Sequence, residues 1–248
     1  MEHISPAIMM DICERYCYRL IRKPVDITPR GITNLRLVLF DMDGVLTDTG
    51  SSWRYIHNYF GVSNEESVDL YLKGEIDYHE FIRRDVNLWR ENGKLIEKDK
   101  LEEILSDIPL MKGADKLIEK LHEYKIKTAI VSAGLDILAD KVAKKIGIDY
   151  IYANGIKIDE NGRLTGEGIV NVRLIYKDQT VDRISRELNI GFNEMIAVGN
   201  SCFDIPMLQR CGIGIAFNPE DRCIEETADV IVKEKNLELL LSTLNRYL

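Results

Sequence analysis

Four short segments carry side chains that could do acid–base or nucleophilic chemistry on a charged substrate. Asp41-Met42-Asp43-Gly44-Val45-Leu46-Thr47-Asp48 sets two carboxylates one residue apart, directly after the strand-like run Leu35-Arg36-Leu37-Val38-Leu39-Phe40. Such a run reads as a strand buried on both faces. Paired acids just past its carboxyl end are costly unless they hold a cation or do chemistry, and open α/β sheets bind ligands at that edge. The alternative is an acidic turn, since Asp and Gly favour turns. Further along, Thr128–Val131 runs into Ser132-Ala133-Gly134, a hydroxyl with backbone N–H groups before a helix, either a phosphate cradle or an ordinary turn. Lys177 opens a predicted helix and is either a functional cation or a solvated side chain. Finally, Met195–Val198 leads into Gly199-Asn200-Ser201-Cys202-Phe203-Asp204. This turn offers oxygen ligands for a hard cation such as Mg²⁺, or simply caps a helix.

The elements that must position these groups alternate in the βαβ manner. Strands are expected at 35–40, 128–132, 195–198, 212–217 and 229–232. Helices are expected at 113–124, 135–146 (closed by Gly147), 178–189, 204–210 and 219–227. The alternation predicts an α/β fold, a parallel sheet flanked by helices. Two insertions interrupt it. Residues 51–108 lack any run resembling a buried strand and read as a compact helical module, a cap over the acidic motif. Residues 150–170 read as a hairpin, with strands Tyr150–Ala153 and Ile156–Asp159 and a turn at Asn161-Gly162. The core is therefore expected over 35–50 and 109–248. Residues 1–34 form an N-terminal extension: Ile8, Met9, Ile12, Tyr16, Leu20 and Ile21 recur at helical spacing, before a linker at Pro24, Pro29 and Gly31. Packing on the main domain, a homodimer through that helix, or bracing of the cap would bury its apolar face.

Composition bounds the partners. With 33 basic and 41 acidic residues the chain carries a formal charge of −8, which argues against a general nucleic-acid binder. It does not argue against a phosphate ligand, for which one local cation and a metal suffice. No apolar run reaches the length of a membrane span and no signal-peptide core opens the chain, so the expected location is the cytoplasm. The five cysteines lack C-x-x-C spacing; Cys13 and Cys17 read as apolar residues on one helical face.

In their order along the chain, Asp-x-Asp-Gly-Val-Leu-Thr-Asp, Val-Ser-x-Gly, Lys and Val-Gly-Asn-Ser-x-x-Asp resemble the haloacid dehalogenase superfamily over roughly residues 35–232. Within it the chain looks most like the phosphoserine-phosphatase-like branch, with its helical cap between the first two motifs and its hairpin before the lysine. Gly74-Glu75-Ile76-Asp77-Tyr78, Asn154-Gly155 and Gly162-Arg163-Leu164-Thr165-Gly166 share that likeness. The resemblance implies a Rossmann-like core and a Mg²⁺-dependent phosphatase acting on a small phosphorylated metabolite. Asp41 would be the nucleophile and Asp43 the general acid and base. Ser132, Ala133, Gly134, Lys177, Asp43 and Gly44 would surround the phosphate. Asp41, Asp43, Asn200 and Asp204 would form the metal site. A phosphotransferase or phosphomutase is the alternative within the superfamily, and a non-catalytic phosphate-binding or interaction protein the alternative outside catalysis.

Two departures from the family pattern matter. The fourth motif usually has aspartate where this chain has Asn200, which removes one negative charge from the expected metal site. The glutamate and cap arginine that phosphoserine phosphatases use for the substrate amine and carboxylate fall, by spacing, on Gly50 and Asp85. An acidic Asp85 is expected to repel a carboxylate and to suit a neutral, hydroxylated or cationic group.

Overall fold

A computed structural model describes residues 28–247. The expected N-terminal helix, the Cys13/Cys17 pair and the proposed dimer contact lie outside the described residues. The chain enters along the core: Thr28 and Gly31 N–H groups donate to the Gln209 and Gly212 carbonyls, and Arg30 Nε lies 3.0 Å from Asp229 Oδ1. The segment containing Pro29 and Gly31, expected as a linker, is thus hydrogen-bonded to the domain.

β1 (Leu37–Phe40) comes first and is buried at all four positions. The insertion then folds as α1 (Ser52–Phe60), α2 (Glu65–Lys73), α3 (Tyr78–Asn87), a hairpin of β2 (Arg90–Glu91) and β3 (Lys94–Leu95), and α4 (Lys98–Ser106). The small hairpin is the one departure from an all-helical module. It turns at Asn92-Gly93, both with positive φ, as a two-residue hairpin loop demands. The core resumes with α5 (Ala114–Glu123), β4 (Lys127–Leu135), α6 (Asp136–Ile146), β5 (Tyr150–Ile158) and β6 (Leu164–Ile169). It closes with α7 (Lys177–Leu188), β7 (Met195–Gly199), α8 (Ile205–Arg210), β8 (Ile213–Phe217), α9 (Arg222–Thr227), β9 (Val230–Val232) and α10 (Leu240–Leu244).

The main sheet runs β6-β5-β4-β1-β7-β8-β9, with only β6 antiparallel to its neighbour. Alternation along β1 divides the apolar side chains between two layers. Val38 and Phe40 share a core with Leu117, Ile118 and Leu121 of α5, while Leu37 and Leu39 share one with Val181 and Ile184 of α7. A strand covered on both faces must read as a continuous apolar run, as β1 does. The order reverses at β1, between β4 and β7, so the carboxyl ends of those three strands enclose a crevice.

Residues 150–170 form a hairpin with its turn at Asn161-Gly162 as expected, Gly162 being in the left-handed region, but the expected break between 153 and 156 is absent. β5 is continuous through Asn154-Gly155; its first half pairs parallel with β4 and its second half antiparallel with β6. Asn154 is buried and serves as a clamp. Its Nδ2 donates to the Ala133 and Val172 carbonyls and to the Tyr78 hydroxyl, and its Oδ1 accepts from the N–H groups of Asn171 and Val172. One amide thus ties β4, the strand after it, the approach to α7 and the helical insertion together.

Inside the insertion, Trp89 Nε1 donates to His57 Nδ1 at 2.8 Å, so the imidazole proton sits on Nε2, 3.4 Å from Asp85 Oδ2. Asn64 Nδ2 donates to the same oxygen at 2.8 Å, and Asp85 Oδ1 is buried without a hydrogen-bond partner. Burial pushes the Asp85 carboxyl above its ordinary range, with His57 and Asn64 opposing.

Two predictions follow from this packing. Asn154→Ala removes the side-chain partner of the Val172 carbonyl and of the Asn171 and Val172 N–H groups and is expected to lower unfolding stability by about 2 kcal/mol, read from denaturant midpoints. For Asp85, a raised folded pKa means that stability is greatest below the unfolded value and falls as pH climbs through the folded one. Asp85→Asn keeps an oxygen for His57 and Asn64 and removes the charge. It is expected to raise Tm near pH 7 by about 2–4 °C, the shift ~1 kcal/mol produces in a chain of this size, and to flatten that decline. A lower Tm would refute this account.

Candidate active site

Asp41 follows the last residue of β1, its N–H donating to the Val198 carbonyl of β7 at 2.9 Å. The next residues wind around one acceptor: the Met42 carbonyl receives the N–H groups of Val45, Leu46 and Thr47 and the Thr47 hydroxyl. The Gly44 N–H, expected to face a phosphate, donates to the Thr47 carbonyl instead. Gly44 has φ +78°, and a Cβ there would lie 2.2 Å from Asn200 Nδ2. Only glycine allows the Asn200 amide to pack on the loop that carries Asp41 and Asp43.

Lys177 is the first residue of α7 and is 2% exposed. Its Nζ lies 2.6 Å from Asp204 Oδ1 and 2.9 Å from Asp41 Oδ1. Burial disfavours the ammonium, but the two carboxylates overcome it and hold the lysine pKa above its ordinary value. The solvated reading of Lys177 is excluded. Asp204 spends its other oxygen on the N–H groups of Asn200 and Ser201 and the Ser201 hydroxyl. Both oxygens of Asp204, expected among the metal ligands, therefore accept from protein donors.

Asp43 is held by the start of α1. The Ser52 N–H and hydroxyl donate to Asp43 Oδ2 at 2.7 and 2.8 Å, and Oδ1 is buried without a hydrogen-bond partner. Burial raises its pKa above the ordinary carboxylate range, with the Ser52 donors opposing. Gly134 comes equally close: a Cβ there would lie 2.9 Å from both Asp43 Oδ2 and Ser52 Oγ. Ser132, Ala133 and Gly134 lie within β4, where its register with β5 shifts between Val131 and Leu135. The Gly134 N–H donates to Ser132 Oγ, and the Ala133 carbonyl accepts from Trp53 Nε1 and Asn154 Nδ2.

The acidic motif, Lys177, Asn200 and Asp204 thus meet in one buried cluster, and the Ser132–Gly134 turn closes against Asp43. Ser52 is the functional neighbour that pattern reading missed. Its only signal is the Ser51-Ser52 pair, where Ser51 caps α1 by accepting from the Arg54 N–H.

Three carboxylates meet one ammonium here, and burial pushes the Asp41 carboxyl up to about 7 despite Lys177, with Asp204 and Asp43 adding to the rise. The cluster is short of positive charge. Among the described residues no three His, Cys, Asp or Glu side chains converge as a metal-binding group. The donors at hand are the Asp41 carboxylate, the Asn200 amide and main-chain carbonyls of the Asp41–Asp43 loop, all suited to a hard cation that keeps part of its water.

Comparison with known proteins agrees with this arrangement. Residues 35–212 match the family model of haloacid dehalogenase-like hydrolases. A phosphoserine phosphatase of Archaeoglobus fulgidus is 34% identical over 84% of this chain and 60% of its own length. Another, from Lactococcus lactis, is 40% identical over 59% of this chain and 66% of its own. The chain therefore spans about two thirds or less of these two relatives. A solved structure described as a phospho-aspartyl intermediate analogue of phosphoserine phosphatase is 26% identical, with a TM-score of 0.71. It covers 85% of this chain and 99% of that one. Motif order, sheet topology and the site built on them lead to one conclusion: the chain belongs to the haloacid dehalogenase-like hydrolase family.

Proposed function

We propose that this protein is a Mg²⁺-dependent phosphatase that hydrolyses a small phosphomonoester through an aspartyl-phosphate on Asp41. The observation that carries the reading is the buried Lys177 bridging Asp41 and Asp204 beside an Asp43 whose Oδ1 has no hydrogen-bond partner. An Asp41 oxygen attacks phosphorus as the bond to the leaving oxygen breaks, and Asp43 gives that oxygen its proton. Water then attacks the phosphoryl group, Asp43 takes the water's proton, and the Asp41–phosphorus bond breaks to restore the carboxylate. Asp43 suits both roles because its environment favours the protonated form, while Ser52 fixes one oxygen and leaves the other for the substrate. Lys177 keeps Asp41 in place and adds positive charge where the phosphoryl oxygens gather it. The Asp41 carboxylate, the Asp43 carbonyl and the Asn200 amide would hold Mg²⁺, which would offset the repulsion between Asp41 and a phosphate dianion. The 51–108 helices would act as a cap over the crevice. Phosphoserine, the substrate named for its relatives, is the first compound to test.

Hydrolysis of p-nitrophenyl phosphate with Mg²⁺ is expected, with Asp41→Asn reducing kcat by ~10³-fold or more. Wild-type turnover no greater than that of the variant would remove the phosphatase reading. Asn200→Asp restores a charge to the metal site and is expected to lower the Mg²⁺ concentration for half-maximal rate several-fold. It should also enlarge the Tm increase on adding Mg²⁺. No change in either measurement would show that Asn200 does not ligate the ion.

A further inference from the structure

Two consecutive residues at the start of α1, Ser52 and Trp53, dock the helical insertion on β4 beside Asp43. They engage the strand on either side of Gly134. Trp53 Nε1 donates to the Ala133 carbonyl at 3.0 Å, and the Leu135 N–H donates to Ser52 Oγ at 3.4 Å. Gly134 makes the approach possible, since a Cβ there would lie 2.9 Å from Ser52 Oγ and 2.8 Å from Met42 Cε. Leu135 takes a lone pair of the Ser52 hydroxyl, and the hydroxyl hydrogen goes to Asp43 Oδ2, the oxygen that the Ser52 N–H also reaches. Asp43 is held by that one oxygen, and Oδ1 has no hydrogen-bond partner.

Trp53 ties this arrangement to the interior of the insertion. Its ring centroid lies 5.3 Å from that of Trp89, with the planes at 35°, and the Trp89 indole donates in turn to His57. The first turn of α1 is therefore fixed from two sides, by Trp89 within the insertion and by Ala133 on the core. Ser52 precedes Trp53 on that same turn, so a shift of the Trp53 indole moves both donors that hold Asp43. A reacting group displaced by about 1 Å can lose ~10²-fold in rate. We propose that Trp53 is a positioning residue: its hydrogen bond to Ala133 sets the start of α1, which places Ser52, which aims Asp43 at the leaving oxygen. The role rests on the phosphatase reading. Asp43 passes its proton to the leaving oxygen as the phosphorus–oxygen bond breaks, and Trp53 acts on that step only through Ser52.

The test uses two esters of similar shape whose leaving groups differ in their need for a proton. Phenyl phosphate has a poor leaving group and p-nitrophenyl phosphate a good one. The ratio of their kcat/KM values, phenyl over p-nitrophenyl, reads how well the acid is aimed. A variant that only reduces the amount of folded enzyme lowers both values and leaves the ratio unchanged. Trp53→Phe keeps a ring against Trp89 and removes the N–H, while the Ala133 carbonyl retains Asn154 as a donor. Trp53→Phe is expected to lower the ratio by ~10-fold or more, as is Ser52→Ala. The double variant should lower it no further than the stronger single one, because both changes act on one contact. An unchanged ratio in either single variant, or losses that multiply in the double variant, overturns the positioning role and leaves the phosphatase reading standing. Turnover of neither ester by the wild type overturns the phosphatase reading and the positioning role with it.

Discussion

The structure depends on burying one ammonium between two carboxylates. Lys177 Nζ joins Asp41, after β1, to Asp204, after β7, from the first residue of α7. Removing Lys177 leaves two uncompensated carboxylates in a nearly dry site, a loss of several kcal/mol in comparable buried pairs. The triad therefore fixes more than chemistry. It sets where α7 begins and holds the β7 turn against the β1 turn. It also demands that the hairpin before Lys177 deliver the chain at one height, which Asn154 secures by gripping Ala133 and Val172 together.

Close approach between turns is the second constraint, and missing side chains meet it. At Gly44 the Asn200 amide occupies the space of a Cβ, and at Gly134 the Asp43 and Ser52 oxygens do so. These contacts let three loops converge within hydrogen-bond reach of one another. A methyl group at either position would force the loops apart and pull Asp43 from Ser52 or Asn200 from the Asp41–Asp43 loop. Geometry that in other sites is set by long side chains is set here by backbone packing, which is stiffer and costs less side-chain entropy.

Much of this was legible in the chain because local pattern and tertiary structure agree. β1 reads as an unbroken apolar run because helices cover both its faces, and Gly147 marks the end of α6 because it is left-handed there. The region around residue 154 misled because Asn-Gly ordinarily punctuates. Here the Asn154 side chain spends all its polar atoms on tertiary partners, and a Cβ on Gly155 would lie 2.3 Å from Asp136 Oδ2, so both residues serve a continuous strand. β6 escaped notice because Gly166 and Gly168 weaken its pattern, although Gly168 is what lets Ile82 of α3 pack against it. Asp85 misled in another way. Spacing makes it a bare acid, whereas the fold gives it His57 and Asn64, so the repulsion expected of it is blunted. Ser52 carries no motif; only the start of α1 against the acidic loop brings it to Asp43.

Charge balance connects these features. One lysine cannot neutralise Asp41, Asp43 and Asp204 in a site where burial already raises the pKa values of Asp41 and Asp43. The shortage has two remedies, protonation and a bound cation, and they fall naturally on different groups. Asp43, gripped by neutral Ser52 donors on one oxygen, can hold a proton without losing its position. Under the proposed mechanism Asp41, which touches Lys177, must stay ionised to act and would need the cation. Asn200 in place of a carboxylate would then lower the negative charge that cation must offset while keeping an oxygen for it. In the proposed phosphatase such a site would admit a phosphate dianion only with the cation bound, coupling metal binding to substrate binding through charge alone.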